Sequence, residues 1–148
     1  MNLEESLLPW IGKTGKMLGT VINNRFKEKN INLTREQFVV LKILSDDDGK
    51  AQHDLAFITE CDKTSLSRLI SNMEKSNFIK RIPAKEDKRI KYVYLTSTGK
   101  NVFTTALPII EEAIHSFQKG ISKEELQISI RTIKKIQSNL SKVHSFKL

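Results

Sequence analysis

The stretch from Asp62 to Thr96 constrains the fold more than any other part of the chain. Its first half carries apolar residues at the spacing that places side chains on one face of an α-helix, namely Leu66, Leu69, Ile70 and Met73. The opposite face of this helix carries hydroxyl groups and cations and no acid: Lys63, Thr64, Ser67, Arg68, Ser71 and Lys75. Such a face is suited to lie against a polyanion.

A short helix is predicted just before this one, within residues 50–59. Its inward-facing residues are predicted to be Leu55, Ala56 and Ile58. A tight turn at residues 60–61 follows, and Asp62 is a favourable N-cap for the longer helix. A short helix, a tight turn and a second helix with a polar outer face are typical of a helix-turn-helix, in which the second helix recognises DNA.

Two strands joined by a basic loop are predicted after the second helix. Asn77 accepts left-handed backbone angles and is therefore the expected end of that helix. Residues 78–83 form a predicted strand that Pro83 ends, and residues 91–95 alternate with Val93 and Leu95 inward. A hairpin in this position is the wing of a winged helix.

The charge of the chain favours a polyanionic partner, nucleic acid first and an anionic membrane second. The formal net charge is +8, and seven cations lie between residues 75 and 91 against Glu86 and Asp87. These cations are Lys75, Lys80, Arg81, Lys85, Lys88, Arg89 and Lys91. The cations are not set on one helix opposite a bulky apolar face, which disfavours membrane binding.

The fold class expected for all 148 residues is mainly α, an α+β winged helix with six helices and a two- to three-stranded wing hairpin. Helix starts are predicted at N-caps Thr34 (a capping box with Gln37), Thr96 and Ser122 (a capping box with Glu125). Residues 34–96 are expected to form the DNA-binding lobe of a single subunit. Residues 1–30 and 97–148 carry long apolar stripes that need another surface, and a second copy of the chain is the simplest one.

The wing sequence EDKRIKYVYLTSTG, preceded by LTREQFVVLKIL and TSLSRLISNMEKSNFI, resembles the MarR family of winged helix-turn-helix transcriptional regulators. The resemblance implies a homodimer joined through its N- and C-terminal helices, with each recognition helix in a major groove. It implies that Arg89 enters the minor groove and that Asp87 stabilises the wing by pairing with a cation. Asn77 stands where the family usually has glycine, and the turn is expected to survive because Asn tolerates the same backbone region.

We therefore expect a sequence-specific regulator of transcription that binds double-stranded DNA, most often as a repressor on a pseudo-palindromic operator. The candidate recognition residues are Lys63, Thr64, Ser65, Ser67, Arg68 and Ser71. The candidate wing contacts are Lys85, Lys88, Arg89 and Lys91, with Asp87 as the wing-stabilising residue. Arg68 can bridge guanine O6 and N7, and the alternatives are a phosphate contact or a solvated face. A competing hypothesis is a winged-helix interaction module that docks an acidic protein partner.

Two candidate sensing sites are weaker. Cys61 precedes a helix N-terminus, where a thiolate is favoured, but the family's peroxide-sensing branch carries its cysteine in the first helix, and this chain has none there. Glu111, Glu112 and His115 could share one helical face as metal ligands, although a solvated face is the simpler interpretation. No metal or cofactor is predicted. A small-molecule effector is possible, and the sequence does not identify it.

An enzyme is not expected, because the sequence has no nucleophile with a histidine signature, no phosphate loop and no HExxH helix. The single cysteine fits a reducing compartment. There is no signal-peptide pattern and no apolar run near the roughly 20 residues that cross a bilayer. These features together predict a cytoplasmic protein.

Overall fold

The computed structural model describes residues 3–59 and 62–143, without the side chains of residues 57 and 58. Within these residues the chain forms six α-helices: α1 (Leu8–Glu28), α2 (Arg35–Asp46), α3 (Gln52–Thr59), α4 (Lys63–Lys75), α5 (Ser97–Phe117) and α6 (Lys123–Val143). Three strands complete the fold: β1 (Lys50–Ala51), β2 (Ile79–Pro83) and β3 (Lys91–Leu95). The predicted fold class is confirmed.

The sheet is antiparallel, and its strand order is β1-β3-β2. The hairpin register runs from Ile79 opposite Leu95 to Pro83 opposite Lys91. The predicted bounds of β3 are confirmed, and β2 begins one residue later than predicted. The first two residues of the segment predicted to hold a short helix instead form β1, because Lys50 and Ala51 pair with Val93 and Tyr92 on the remaining edge of β3. A two-residue strand has too few residues to show a period.

The predicted helix starts are confirmed by their hydrogen bonds. The Thr34 hydroxyl accepts from the Gln37 amide, and the Gln37 side chain accepts from the Thr34 amide, which completes a capping box. Ser122 and Glu125 form the same reciprocal pair at the start of α6. The Thr96 hydroxyl accepts from the Gly99 amide at 3.0 Å and begins α5. These helices therefore begin where local side-chain chemistry satisfies their free amides.

The predicted end of α4 is also close to the observed one, Lys75. Asn77 has φ of 59° and follows α4 in a Schellman arrangement, in which the Phe78 amide donates to the Met73 carbonyl at 2.9 Å. The departure from glycine at this position leaves the turn intact, as predicted. Helix α5 passes through Pro108 without a break and ends at Phe117, and Gly120 in the turn before α6 has φ of 80°.

One hydrophobic core holds the helix-turn-helix, the sheet and parts of α1 and α5 together. The predicted inner face of α4 is confirmed, since Leu66, Ile70 and Met73 are buried and Leu69 packs against the core. The core also includes Leu55 from α3, whereas the Ile58 side chain lies outside the described residues. Further buried residues come from the flanking helices: Phe26 of α1 and Ala106 and Ile109 of α5. Residues 34–96 thus share one core with α1 and α5.

Helices α1 and α6 leave much apolar surface uncovered. None of the described residues of α6 is buried in the single chain. Exposed apolar side chains on these two helices include Leu8, Trp10, Ile11, Met17, Ile128, Ile130, Ile133, Leu140 and Val143. A Cβ atom at Gly12 or Gly15 of α1 would meet nothing within 4 Å, so no close contact within one chain requires either glycine. No helix in the described ranges is long and apolar enough to span a membrane.

Candidate nucleic-acid interface

The N-terminus of α4 is held by Asp62. One carboxylate oxygen of Asp62 accepts the amides of Thr64 and Ser65, each at 3.0 Å. The other oxygen accepts the Ser65 hydroxyl at 2.6 Å. The Ser65 hydroxyl and these amides hold the pKa of Asp62 below its ordinary value, so the carboxylate stays charged at the positive end of the helix dipole.

The outer face of α4 is accessible along its first two turns. Five of the six candidate recognition residues are exposed: Lys63, Thr64, Ser65, Ser67 and Arg68. Ser71 is half-buried, and the Ser65 hydroxyl already donates to Asp62. The side chains that remain available to donate hydrogen bonds are therefore those of Lys63, Thr64, Ser67 and Arg68. The Ser65 hydroxyl can still accept one.

The wing tip carries an arginine that is nearly free of the protein surface. The Arg89 side chain is 92% exposed, and its guanidinium lies 3.1 Å (Nε to Oδ1) and 3.2 Å (Nη2 to Oδ2) from the Asp87 carboxylate. Asp87 also accepts the Arg89 amide at 3.0 Å. These bonds from Arg89 lower the pKa of Asp87. In this structure the cation that pairs with Asp87 is Arg89 itself.

The remaining wing lysines keep their charges available. Lys85 and Lys88 are exposed, and Lys91 is half-buried. Among the described residues, none of the three has an acidic partner within salt-bridge distance. The tip of the hairpin therefore offers several cations within a few residues, which suits contact with phosphates.

The base of the wing holds a second arginine, Arg81, whose charge is paired within the protein. Its guanidinium forms a two-point salt bridge with Glu74 of α4, with Nη2 to Oε1 at 2.8 Å and Nε to Oε2 at 3.2 Å. The Arg81 amide donates to the same carboxylate at 3.2 Å. The strand alternation carried a signal for this contact, since Arg81 lies on the face of β2 that buries Ile79.

A second contact at the base of the wing joins the start of α5 to the turn after α4. The Thr96 hydroxyl donates to the Asn77 carbonyl at 2.5 Å, and the Thr96 amide donates to the Phe78 carbonyl at 3.1 Å. A Cβ atom at Gly99 would lie only 2.0 Å from that Phe78 carbonyl oxygen. Gly99 is thus required by a backbone contact, a role that the sequence alone did not show.

The described residues do not form a metal site, since no three His, Cys, Asp or Glu side chains among them could hold an ion. Glu112, one of the candidate ligands, instead pairs with Arg25 of α1 at 3.4 Å. Arg25 also donates to Ser116 at 3.2 Å, so this cluster connects α1 to α5. Cys61 lies outside the described residues.

Comparisons with known proteins agree with the fold. Residues 33–91 match the sequence profile described as the MarR family. The chain is 26% identical over 136 residues to the uncharacterised HTH-type transcriptional regulator YybA of Bacillus subtilis (strain 168), covering 92% of this chain and 89% of the relative. Nothing in the comparisons supports a module that docks an acidic protein.

Two solved structures are similar over nearly the whole chain. The transcriptional regulator SlyA has a TM-score of 0.84 at 28% identity, over 95% of this chain and 98% of the other. A putative MarR family transcriptional regulator from Listeria monocytogenes, complexed with 26mer DNA, has a TM-score of 0.82 at 28% identity, over 93% of this chain and 91% of the other. The same fold, with its wing and helix-turn-helix, therefore occurs in a protein whose structure was solved in complex with DNA.

Proposed function

The chain belongs to the MarR family of transcriptional regulators, and on this basis we propose that it binds a pseudo-palindromic DNA operator as a homodimer. The observation that carries the proposal is the exposed, acid-free outer face of α4 next to a wing with an exposed Arg89. A helix of this kind fits the major groove, and an arginine on an extended tip fits the minor groove. Residues 34–96 provide this DNA-binding lobe.

The roles of individual residues follow from their exposure. Arg68 reads a base edge in the major groove, with Lys63, Thr64, Ser65, Ser67 and Ser71 contributing contacts to bases and phosphates. Arg89 enters the minor groove, and Lys85, Lys88 and Lys91 contact phosphates. Asp87 holds the Arg89 guanidinium through two hydrogen bonds, which reduces the number of orientations that Arg89 must lose on binding.

A second copy of the chain covers the flanking helices. Ile130 is 46% exposed, Ile133 45% and Leu140 51%, all on α6. Contiguous apolar surface of this kind marks a protein interface, and DNA readers with two-fold operators are dimers. Residues 1–30 and 97–148 thus serve dimerisation. The dimer acts in the cytoplasm as a repressor without catalytic activity, and a small molecule that binds its two states unequally would control operator occupancy.

Selection of bound sequences from random duplexes by the full chain tests the proposal. We expect a two-fold symmetric site with half-sites about one helical turn apart. Binding should weaken steeply as salt increases, because phosphate contacts release counterions. Arg68→Ala should relax preference at one position of each half-site while Lys100→Ala, an exposed change on α5, leaves the preference unchanged. Recovery of no enriched sequence would reject the proposed function.

The oligomeric state is tested separately by light scattering. Ile133→Lys places a charge within the exposed apolar stripe of α6 and should convert the dimer to a monomer. Lys134→Ala, the neighbouring change on the same helix, is the control and should leave the dimer intact. A wild-type chain that is monomeric at micromolar concentration would contradict the assignment of α6 to the dimer.

A further inference from the structure

Among the residues that the structure describes, the pair of Glu74 and Arg81 is the ion pair that joins the recognition helix to the wing. Both Glu74 carboxylate oxygens are engaged, one by Arg81 Nη2 at 2.8 Å and the other by Arg81 Nε and the Arg81 amide, each at 3.2 Å. The two side chains are partly shielded from solvent, with 39% of Glu74 and 26% of Arg81 exposed. Two-point pairing of this type fixes orientation as well as distance.

The sheet geometry explains why Arg81 turns toward α4. Strand β2 is an outer strand of the sheet, and Arg81 shares a face with the buried Ile79. The carboxylate of Glu74 accepts a backbone amide on this outer strand, so α4 supplies a hydrogen bond that no further strand provides. The guanidinium holds the pKa of Glu74 below its ordinary value, so both partners are charged near neutral pH.

The chain joins α4 to β2 through a turn that is itself constrained. Glu74 accepts the Asn77 amide through its backbone carbonyl at 2.9 Å while its side chain reaches Arg81. One residue therefore takes part in both the end of the recognition helix and the start of the wing. If the side-chain contact is lost, the Asn77 turn and the shared core, in which Ile70 and Met73 of α4 are buried together with Ile79 of β2, still join the two elements. The side-chain contact then no longer fixes the position of Arg81 and its strand against α4.

We propose that Glu74 is a positioning residue for DNA binding, which holds the wing at a fixed angle to α4 through Arg81. This inference rests on the proposed function, because the angle matters only if both elements engage one DNA site. A recognition helix and a wing that are already correctly spaced lose less freedom on binding. Glu74 thus increases DNA affinity although it touches no DNA.

Charge alone predicts the opposite effect of Glu74 on DNA affinity. Removing an acid from a protein that binds a polyanion reduces repulsion and should strengthen binding. Removing Glu74 should instead weaken binding, because the loss of wing position outweighs the gain in charge. Glu86 provides the matched comparison, since it is an exposed acid in the same wing and has no salt-bridge partner among the described residues.

The test measures affinity of the full-length chain for the operator recovered by selection, together with hydroxyl-radical footprints. Glu74→Gln should bind about fivefold to tenfold more weakly than wild type, as expected for a lost charge-assisted contact. The footprint of the wing should fade more than that of α4. Glu86→Gln, which removes the same charge, should bind equally well or more tightly. Arg81→Lys keeps the positive charge without the two-point geometry and should also weaken binding.

A rescue measurement separates positioning from general loss of structure. The reversed pair Glu74→Arg with Arg81→Glu should recover part of the lost affinity, and thermal unfolding of each variant shows whether it is folded. If Glu74→Gln does not fold, the operator affinity of Arg81→Lys is the deciding measurement. Binding by Glu74→Gln or by folded Arg81→Lys that equals or exceeds wild type would overturn the inference. Failure of wild type to bind any duplex is a different result, which rejects the proposed function.

Discussion

The wing arginines Arg81 and Arg89 form ion pairs with nearly the same bond lengths and similarly exposed carboxylates, but the two guanidinium groups differ greatly in exposure. At the base, Arg81 and Glu74 come from a strand and a helix and are 26% and 39% exposed. At the tip, Arg89 and Asp87 are two residues apart, and the Arg89 side chain is 92% exposed. The base pair joins two elements of the fold, whereas the tip pair orders one side chain. Residue type and bond geometry alone therefore do not decide what an ion pair does.

The largest effect is expected at the base of the wing, from Gly99→Ala. The added methyl group would meet the Phe78 carbonyl oxygen at 2.0 Å, and backbone cannot move aside as a flexible side chain can. We expect a loss of about 3 kcal/mol in unfolding free energy, or about 10 °C in Tm by calorimetry. Gly19→Ala is the control, because its nearest atom is a side-chain carbon of Arg35 at 3.6 Å. Equal stability of both variants would show that the position of Gly99 tolerates a Cβ atom next to the Phe78 carbonyl.

The next effect is expected at the tip, from Arg89→Ala. Loss of a minor-groove arginine should weaken operator binding about tenfold. Because Arg89 is exposed and packs on no core residue, Tm should remain that of wild type. Fluorescence anisotropy with labelled operator measures the affinity. A variant that loses stability along with affinity would show that the tip, like the base, supports the fold.

Thermal unfolding of Arg81→Met and Arg89→Met compares the two pairs directly. Arg81→Met leaves the partly shielded Glu74 without its partner and should lower the unfolding free energy by about 1 kcal/mol. Arg89→Met should have no measurable effect on Tm, because exposed local ion pairs contribute little. Equal Tm values for the two variants would contradict the difference in environment.

The pH dependence of stability sharpens the same comparison. Hydrogen bonds from Arg81 lower the pKa of Glu74 below the ordinary value of 4.5. A carboxylate with a lowered folded-state pKa contributes stability above its unfolded pKa and loses it as pH falls through the folded pKa. The Tm difference between wild type and Arg81→Met should thus have its full size at pH 7 and should shrink as the pH falls below 4.5. A difference that stays constant to pH 3 would show that the pair acts through packing alone.

The smallest effect is expected from Lys85→Ala in the wing loop. Lys85 is exposed, so the change should leave Tm unaltered. The slope of log affinity against log salt should fall by about one unit, because one phosphate contact is lost. Titrations at several salt concentrations measure the slope, and Arg89→Ala under the same conditions shows whether the two tip cations act independently. An unchanged slope would place Lys85 outside the DNA contact.

The sequence predicted most of the helix bounds because their signals are local. Thr34, Asp62 and Ser122 cap helices through side chains that bond amides two or three residues away. Asn77 ends α4 through its own backbone preference. The wing cations were identified for the same reason, since their number and spacing are visible in the chain.

Only the tertiary structure decided which of those charges pair with another element of the fold. Arg81 and Arg89 are the same residue type in one hairpin, but the face of β2 turns Arg81 toward Glu74, seven residues away in sequence. Gly99 is needed because the carbonyl of Phe78 lies close to it at the base of the wing, although the whole hairpin separates the two residues in sequence. Strand β1 exists because β3 has an edge for it to pair with. Local patterns thus determine where elements begin and end, whereas contacts between elements determine which side chains remain available to a partner.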